Sequence, residues 1–473
     1  MDMTMKRYLI PILLLTAYNV YAVRVNPQGI GEVLLVPYYT VNNGLNTTAS
    51  VTNTTEEVKA VKINIREGLN GYSVLSYNVY LGPNDTWSFV TGAYTSTIDN
   101  HEGEDSGAHA SADNSCAPRL NKSLQQFLPS DIADGPETMS RAREGFIEII
   151  EMGVLEGELA TAAVDQWTGM TGGCALLTDT WNDGEWTTDT NYSLTPITGG
   201  LMAEADIIDV AQGINYSLPV VALEEFFAEG SIHHTEPGDD SVSLDLAAPM
   251  ATVYANKKSY QLSFERGIDA VSAVLMADEV LSTYNYEAVV NGINETVYTQ
   301  PTRRYYQSSP GYISHAPFPT SSVHGCSKDQ DYGGVELTQT IFDREGQYYV
   351  QQGGITPPPP PPNNSFCGSV FIQSIVSPGS GQSESPLTQS NNFQIISGVS
   401  GGTEHGITQI GFVTRPLVGT DMNTNKTVHL MGLPVIGVTL NRFTNHNAAP
   451  GVMAQYGFSQ PIKKKIRLIE IDY

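Results

Sequence analysis

The feature that most constrains this chain is a strict alternation of apolar and polar residues in short segments. In residues 61–66, valine and isoleucine occupy every second position, and Lys62, Asn64 and Arg66 lie between them. A period of two is that of a β-strand, whose successive side chains point to opposite faces of a sheet. The alternation therefore predicts a strand with one face in a core and the other in solvent.

The same pattern recurs along the chain. Residues 31–41, 73–81 and 368–376 are rich in Val, Ile, Leu, Tyr and Phe, and turn-forming Gly, Asn and Pro residues separate such segments. Turns every 8–12 residues or so are typical of all-β sandwiches. Residues 49–55 and 61–65 fit two adjacent strands of an immunoglobulin-like domain. The sequence predicts a mainly β protein of immunoglobulin-like β-sandwich domains with a few short helices and long surface loops.

Three segments predict helical structure. Residues 155–167 have the composition of a short helix, and residues 139–145 predict a helical turn before a strand over 146–152. Residues 267–286 predict a longer helix, because their apolar residues recur near helical spacing. These apolar residues are Val271, Val274, Leu275 and Leu281.

The first 22 residues predict a signal peptide. Lys6 and Arg7 form a basic region, residues 8–16 form an apolar core too short to span a bilayer, and Ala22 is a small residue suited to cleavage. The alternative is a buried N-terminal helix, which the proline within the core disfavours. We therefore expect export, with the protein periplasmic, on the cell surface or extracellular.

About 450 residues follow the signal peptide, which is room for two or three domains. We predict an immunoglobulin-like sandwich over 23–115 and a second β-rich domain over 116–350. A polyproline loop over 351–367 precedes strands in 368–473 that complete a sandwich. Residues 95–116 are acidic and poor in apolar side chains, which predicts a long surface loop.

Four cysteines in an exported chain predict two disulfides, for which three pairings exist. We predict the sequential pairing, Cys116 with Cys174 and Cys326 with Cys367; free buried thiols are the alternative. The second bridge would enclose the six prolines of residues 357–362. That closure favours a tied surface loop over an extended spacer between domains.

The chain is acidic, with 50 Asp and Glu residues, 24 Lys and Arg residues and a formal charge of −26. Such a charge repels phosphate backbones, so we expect no nucleic-acid partner. Another surface protein or a polysaccharide is the expected kind of partner. After the signal peptide no segment has the ~20 apolar residues of a membrane helix, so no transmembrane helix is expected.

Four short motifs resemble those of an exported proteobacterial family of unknown function. The resemblance covers most of the chain after the signal peptide and implies export from a Gram-negative bacterium, largely β structure and cysteines flanking a proline-rich loop. It implies no catalytic residues. The motifs are VNPxGxGxVLxxPYY at 25–39, QPTRRYY at 300–306, TIFDRE at 340–345 and LPVIG at 433–437.

Two segments contain candidate metal ligands. His233, His234 and Asp239 lie close together, and imidazole with carboxylate can hold zinc or another divalent ion. Neighbouring histidines on an extended chain point to opposite faces, however, so an exposed polar turn is the alternative. Asp99 and Asp105 lie in an acidic segment that is a candidate for Ca²⁺, or else a solvated loop. No other cofactor is expected.

The catalytic motifs that we considered do not fit. Residues 398–402 match the G-x-S-x-G pattern around Ser400, but a nucleophile elbow requires a helix after the serine, and here the sequence predicts a strand. A glycine-rich hairpin is the better interpretation. The four tryptophans are candidates for stacking on sugar rings, although core packing is the alternative for each. These are Trp87, Trp167, Trp181 and Trp186.

The sequence therefore predicts an exported, non-enzymatic β-sandwich protein with a structural, adhesive or binding role and no catalytic residues. A secreted hydrolase or carbohydrate-active enzyme is the alternative, because paired carboxylates meet in space rather than in sequence. The alternating residues 466–473 raise an outer-membrane β-barrel as a second alternative.

Overall fold

The computed structural model describes residues 21–128, 138–164, 173–309, 312–313, 315–318, 334–349, 365–398 and 404–471. In this part the chain is mainly β, as predicted, with helices α1 (Gly157–Val164), α2 (Gly173–Asn182) and α3 (Gly267–Leu275). The strands of the first half are β1 Arg24–Val25, β2 Ile30–Gly31, β3 Val33–Thr40, β4 Leu45–Asn53, β5 Val58–Glu67, β6 Ser73–Leu81, β7 Thr86–Thr95, β8 Asp105–Ala110, β9 Gln125–Gln126, β10 Glu144–Leu155, β11 Leu194–Thr195, β12 Leu201–Asp209, β13 Ile214–Ser217 and β14 Val221–Glu224. Those of the second half are β15 Met250–Ala255, β16 Lys258–Ser263, β17 Met276–Ala277, β18 Glu279–Asn285, β19 Ile293–Thr299, β20 Gln307–Ser309, β21 Tyr312–Ile313, β22 Val335–Asp343, β23 Tyr348–Tyr349, β24 Ser365–Phe366, β25 Val370–Val376, β26 Phe393–Ser397, β27 His405–Phe412, β28 Leu417–Asp421, β29 Lys426–Met431, β30 Leu433–Pro434, β31 Ile436–Ala449, β32 Val452–Pro461, β33 Lys463–Lys465 and β34 Arg467–Ile471.

Two antiparallel sheets of seven strands form the first half. The middle sheet has the order β1-β14-β3-β10-β5-β6 with β11 beside β10, and the outer sheet has the order β13-β12-β4-β7-β8-β9 with β2 beside β12. They pack face to face: Ile63 and Ile147 of the middle sheet share one core with Trp87, Phe89 and Ile207 of the outer sheet. Strands from both sides of residue 115 enter each sheet, so the predicted boundary there does not separate two sheets.

The prediction that β5 is half-exposed is wrong. Lys62, Asn64 and Arg66 are each 0% exposed, like the apolar residues between them. The second face of the middle sheet is covered by α1, α2 and residues 233–245. We call residues 233–245 the covering segment. Leu159 and Leu177 of the two helices join the core on this side. The middle sheet is thus the central layer of three.

Three further sheets, mainly antiparallel, form most of the second half. The third sheet has the order β23-β22-β27-β18-β33 with β24 beside β22, the fourth β26-β25-β19-β31-β32, and the fifth β15-β16-β28-β29-β34. Within the fourth sheet β25 and β26 pair in parallel. The third and fourth sheets share a core that includes Val280, Ile410, Tyr298 and Phe371. Strands after residue 368 therefore complete sheets that begin before residue 350.

The two halves share buried polar contacts at their junction. Arg303 Nη1 donates to the Leu69 carbonyl (3.0 Å) and to Asn70 Oδ1 (2.6 Å) across the junction. Arg303 lies in residues 300–306, one of the segments that carry the family resemblance. That segment therefore has a structural role between the halves.

A second set of contacts holds residues 385–392, which we call the connection. Glu295 on β19 accepts hydrogen bonds from the Leu387 and Thr388 amides at 2.9 and 3.0 Å. Glu144 on β10 accepts one from Ser390 Oγ at 2.7 Å. Buried carboxylates, one from each half, thus hold the same connection.

Several local predictions can be compared with the structure. Helix α1 is confirmed, and so is the helical turn before a strand, since Met139–Arg143 form a 3₁₀ helix ahead of β10. The long helix over 267–286 is right for its first half alone. Leu281 lies on β18, because that segment pairs with β27 and β33. The surface loop over 95–116 is wrong, because it contains β8, paired with β7.

The disulfide between Cys116 and Cys174 is confirmed, with a Cα–Cα distance of 5.3 Å. Cys326 lies outside the described residues, so its pairing with Cys367 stays a prediction. The same holds for most of the polyproline loop and for the signal peptide, of which residues 1–20 lie outside them. No helix in the described ranges has the length and hydrophobicity needed to cross a membrane.

Candidate functional site

The structure does not bring the predicted metal ligands together. His234 is buried, with Nε2 2.8 Å from Tyr80 Oη and Nδ1 against the Thr190 carbonyl, and burial lowers its pKa to about 3. His233 packs on the Phe227 ring instead. Asp239 is exposed. Among the residues that the structure describes, no three His, Cys, Asp or Glu side chains form a group that could hold a metal ion.

The calcium candidates are also apart from any such group. Asp99 is exposed after β7. Asp105 begins β8 and lies 3.6 Å from Arg143 Nη1, to which it is an exposed partner. A strand occupies the place where a calcium loop would have to continue.

The tryptophans that the structure describes are core residues. Trp87, Trp181 and Trp186 are 0%, 3% and 1% exposed. Trp181 Nε1 donates to Tyr80 Oη at 2.9 Å, and Trp186 stacks on the Tyr80 ring at 5.6 Å. None of the three presents a ring face to a sugar; Trp167 lies outside the described ranges.

The G-x-S-x-G segment is flanked by strands, whereas a nucleophile elbow would require a helix after the serine. Strand β26 ends at Ser397 and β27 begins at His405. Ser400 itself lies outside the described residues.

The covering segment is held by side chains of the middle sheet rather than by strand pairing. Polar residues on the second face of β5 and β6 donate to its backbone carbonyls. A polar face can be buried in this way because its donors find acceptors in the covering segment. The bonds are Lys62 Nζ to Glu236 O (2.8 Å), Asn64 Nδ2 to Val242 O (2.9 Å), Ser76 Oγ to Asp239 O (3.1 Å) and Asn78 Nδ2 to Thr235 O (2.8 Å).

Charged residues beneath this segment have strongly shifted pKa values. Arg66 Nε lies 2.5 Å from Glu148 Oε2, and both side chains are fully buried. Burial raises the pKa of Glu148 against the opposing effect of Arg66. Burial also lowers the pKa of Lys62 to about 7. Such shifts occur at functional sites, but structural ion pairs produce them too. Here the covering segment encloses Arg66, Glu148 and Lys62. We therefore attribute their shifted pKa values to burial and ion pairing within the fold rather than to a functional site.

A cleft with a volume of about 700 Å³ lies between the start of α3 and strand β28. Arg266, Asp269 and His315 line it. Both Asp269 oxygens accept from Arg266, at 2.7 and 3.0 Å, and Oδ1 also accepts from Tyr306 Oη at 2.8 Å. This carboxylate is therefore engaged by an ion pair and is not held ready for acid–base chemistry.

The hairpin of β31 and β32 is the other prominent surface feature. β31 pairs with β19 up to Arg442, so the hairpin continues beyond the end of β19 as a two-stranded ribbon. Residues 443–462 contain no Asp, Glu, Lys or Arg. The hairpin nevertheless exposes large apolar side chains. These are Val452 (50% exposed), Met453 (55%), Tyr456 (51%) and Phe458 (39%).

The two faces of the hairpin differ. On one face the Phe443 ring lies 5.7 Å from the rings of both Tyr456 and Phe458. The other face packs on β13, where a Cβ at Gly457 would lie 2.5 Å from the Ile214 side chain. Glycine is therefore required for this close approach, and it fixes the hairpin against the outer sheet with its aromatic face open.

Sequence reasoning missed this surface. The one signal in the sequence is a run of twenty successive positions, residues 443–462, without a formal charge in a chain of net charge −26. Comparison of the chain with protein-family models, curated proteins and solved structures gave no match. Its function is therefore inferred from its own residues.

Proposed function

We propose that the chain is an exported, non-enzymatic protein of immunoglobulin-like β-sandwich domains with a binding or adhesive role at the periplasm or cell surface. One observation carries the proposal: an uncharged hairpin exposes Val452, Met453, Tyr456 and Phe458 on a strongly acidic chain. Contiguous exposed apolar side chains on a soluble protein mark interaction sites.

The composition of the hairpin supports binding to another macromolecule. The buried centres of protein interfaces are depleted in charge and enriched in Tyr, Phe and Met, with polar residues at the rim. The hairpin has the same composition, with no charged residue over residues 443–462 and with Met453, Tyr456 and Phe458 exposed. The buried charges of the middle sheet, by contrast, have partners within the fold, so they support structure rather than chemistry.

Export is tested by fractionating cells and measuring the mass of the chain in the envelope fraction. We expect a chain that begins at Val23. A full-length chain in the cytosol with four free thiols would contradict the proposal.

The binding role is tested with fluorescent beads that carry the mature chain, incubated with bacterial cells that do or do not produce the protein. We expect cells to retain the beads. The double variant Val452→Ser, Met453→Ser should reduce retention to that of uncoated beads. The matched control is Val413→Ser with Met422→Ser, whose side chains are similarly exposed at 47% and 52%. Equal retention by both variants would contradict the assignment of binding to the hairpin.

A further inference from the structure

Strand β32 is an edge strand without the usual protection against pairing. It lies at the end of the fourth sheet and, among the strands that the structure describes, pairs with β31 alone. Natural edge strands are short, or carry charges, prolines or bulges that prevent association. β32 has ten residues, no charge, and a proline at its last position only. Its free edge therefore offers backbone donors and acceptors to another strand.

We propose that β32 pairs with β32 of a second copy of this chain, antiparallel and about a two-fold axis. The inference rests on the proposed binding role and names its partner. A two-fold contact uses the same surface on both copies, so that surface must be complementary to itself.

Charge favours a second copy at this place. Two chains of net charge −26 repel each other in general. Along β32, however, no like charges would come opposite each other, and such pairs are what destabilise a strand ladder. The hairpin is thus a surface on which one copy can approach another.

Side-chain size fixes a register. With the axis at Tyr456, Phe458 of one copy lies opposite Ala454 of the other, and Met453 lies opposite Ser459. Large residues then meet small ones on both faces. Tyr456 and Phe458 of both copies come onto one face, where cross-strand aromatic contacts stabilise the pair.

The strand is already ordered before pairing. Phe443 packs against both exposed rings, and the opposite face of β32 rests on β13. An ordered strand loses little conformational freedom on association, which strengthens binding.

The test is analytical ultracentrifugation of the mature protein over a wide range of concentrations. We expect a reversible dimer in the wild type. Tyr456→Lys would place two lysines opposite each other and should weaken dimerisation by about tenfold or more. An equal mixture of Tyr456→Lys and Tyr456→Glu should restore a dimer, because opposite charges then meet at the axis. Tyr254→Lys, at a position 67% exposed on edge strand β15, is the matched control and should dimerise like the wild type.

The inference would be overturned by a monomer at every concentration, by a dimer that survives Tyr456→Lys, or by a lysine and glutamate mixture that stays monomeric. A monomer that binds lipid vesicles or a neutral glycan through Tyr456 would overturn it as well. If beads still adhere through the hairpin while the protein is monomeric, the second copy is the wrong partner and the binding role stands.

Discussion

On β5 the polar residues Lys62, Asn64 and Arg66 are buried, whereas on β32 the aromatic residues Tyr456 and Phe458 lie in solvent. The two strands depart in opposite directions from the rule that polar residues face water. β5 can bury polar groups because the covering segment and Glu148 provide acceptors for them. Among the residues that the structure describes, no layer covers the aromatic face of β32. The surroundings of a strand, more than its own polarity, therefore decide its exposure.

The largest effect should come from breaking the buried ion pair on β5. Arg66→Met leaves the Glu148 carboxylate buried without its cation, which should lower the free energy of unfolding by about 3–5 kcal/mol. Denaturant titration followed by tryptophan fluorescence measures the loss. Arg344→Met is the control, since the Arg344–Glu345 pair is exposed and exposed pairs contribute little to stability.

The double variant Arg66→Met, Glu148→Leu separates the stability contributed by the ion pair from the cost of a buried charge without its partner. Replacement of both charges by apolar residues of similar volume should recover most of the lost stability. A double variant as unstable as Arg66→Met would show that the ion pair itself, and not the uncompensated charge, stabilises this face.

The covering layer should also depend on its covalent link to the sheet. Cys116, whose carbonyl accepts from the Tyr80 amide on β6, is joined to Cys174 on α2 across 58 residues. Replacing both by serine should lower the free energy of unfolding by roughly 2–4 kcal/mol. Thermal unfolding with and without a reductant measures this. A reductant that lowers the melting temperature of the serine variant and the wild type equally would contradict it.

A smaller effect should follow from the buried lysine on β5. The folded-state pKa of Lys62 is about 7 against 10.5 for the free side chain, so between these values the unfolded chain binds a proton that the folded chain lacks. Stability should therefore rise with pH in this window, by at most about 1.4 kcal/mol per unit. Lys62→Met should reduce that rise to the part that buried Lys464 contributes, since the pKa of Lys464 is also lowered, to about 8, while exposed Lys258→Met should keep the rise in full. Parallel pH profiles for both variants would refute the prediction.

The smallest effect on stability should come from the hairpin tip. Val452→Ser with Met453→Ser alters exposed side chains, so the free energy of unfolding should change by about 0.5 kcal/mol or less. Denaturant titration checks this beside the adhesion measurement. A loss of several kcal/mol would mean that the tip packs within the fold. The side chains of β32 would then be buried like those of β5.

Local patterns predicted local structure well. The period of two predicted strands, the composition of residues 155–167 predicted α1 (Gly157–Val164), and the choice of sequential cysteine pairing predicted the Cys116–Cys174 bridge. Long-range contacts were beyond such patterns. The acceptors for Lys62 and Asn64 lie 174 and 178 residues away along the chain. Likewise the spacing of Leu281 fits either a helix or a strand, and pairing with β27 decides between them.

The candidate site was harder to predict for the same reason. His234 has the chemistry of a metal ligand, but Tyr80 and Thr190 occupy both ring nitrogens, and neither contact is visible in the sequence. The hairpin offered no motif at all. Its one signal was the missing charge over residues 443–462, which has meaning only once the structure shows those residues exposed.

The connection over residues 385–392 has a mechanical consequence. Glu295 lies on β19, the neighbour of β31, and Glu144 lies on β10 at the centre of the middle sheet. Tension applied at the hairpin would travel through β19 and the connection into the first sandwich without meeting a free hinge. Two copies joined at their hairpins would then respond to tension as two stiff units, and any extension under load would have to come from the single contact between them.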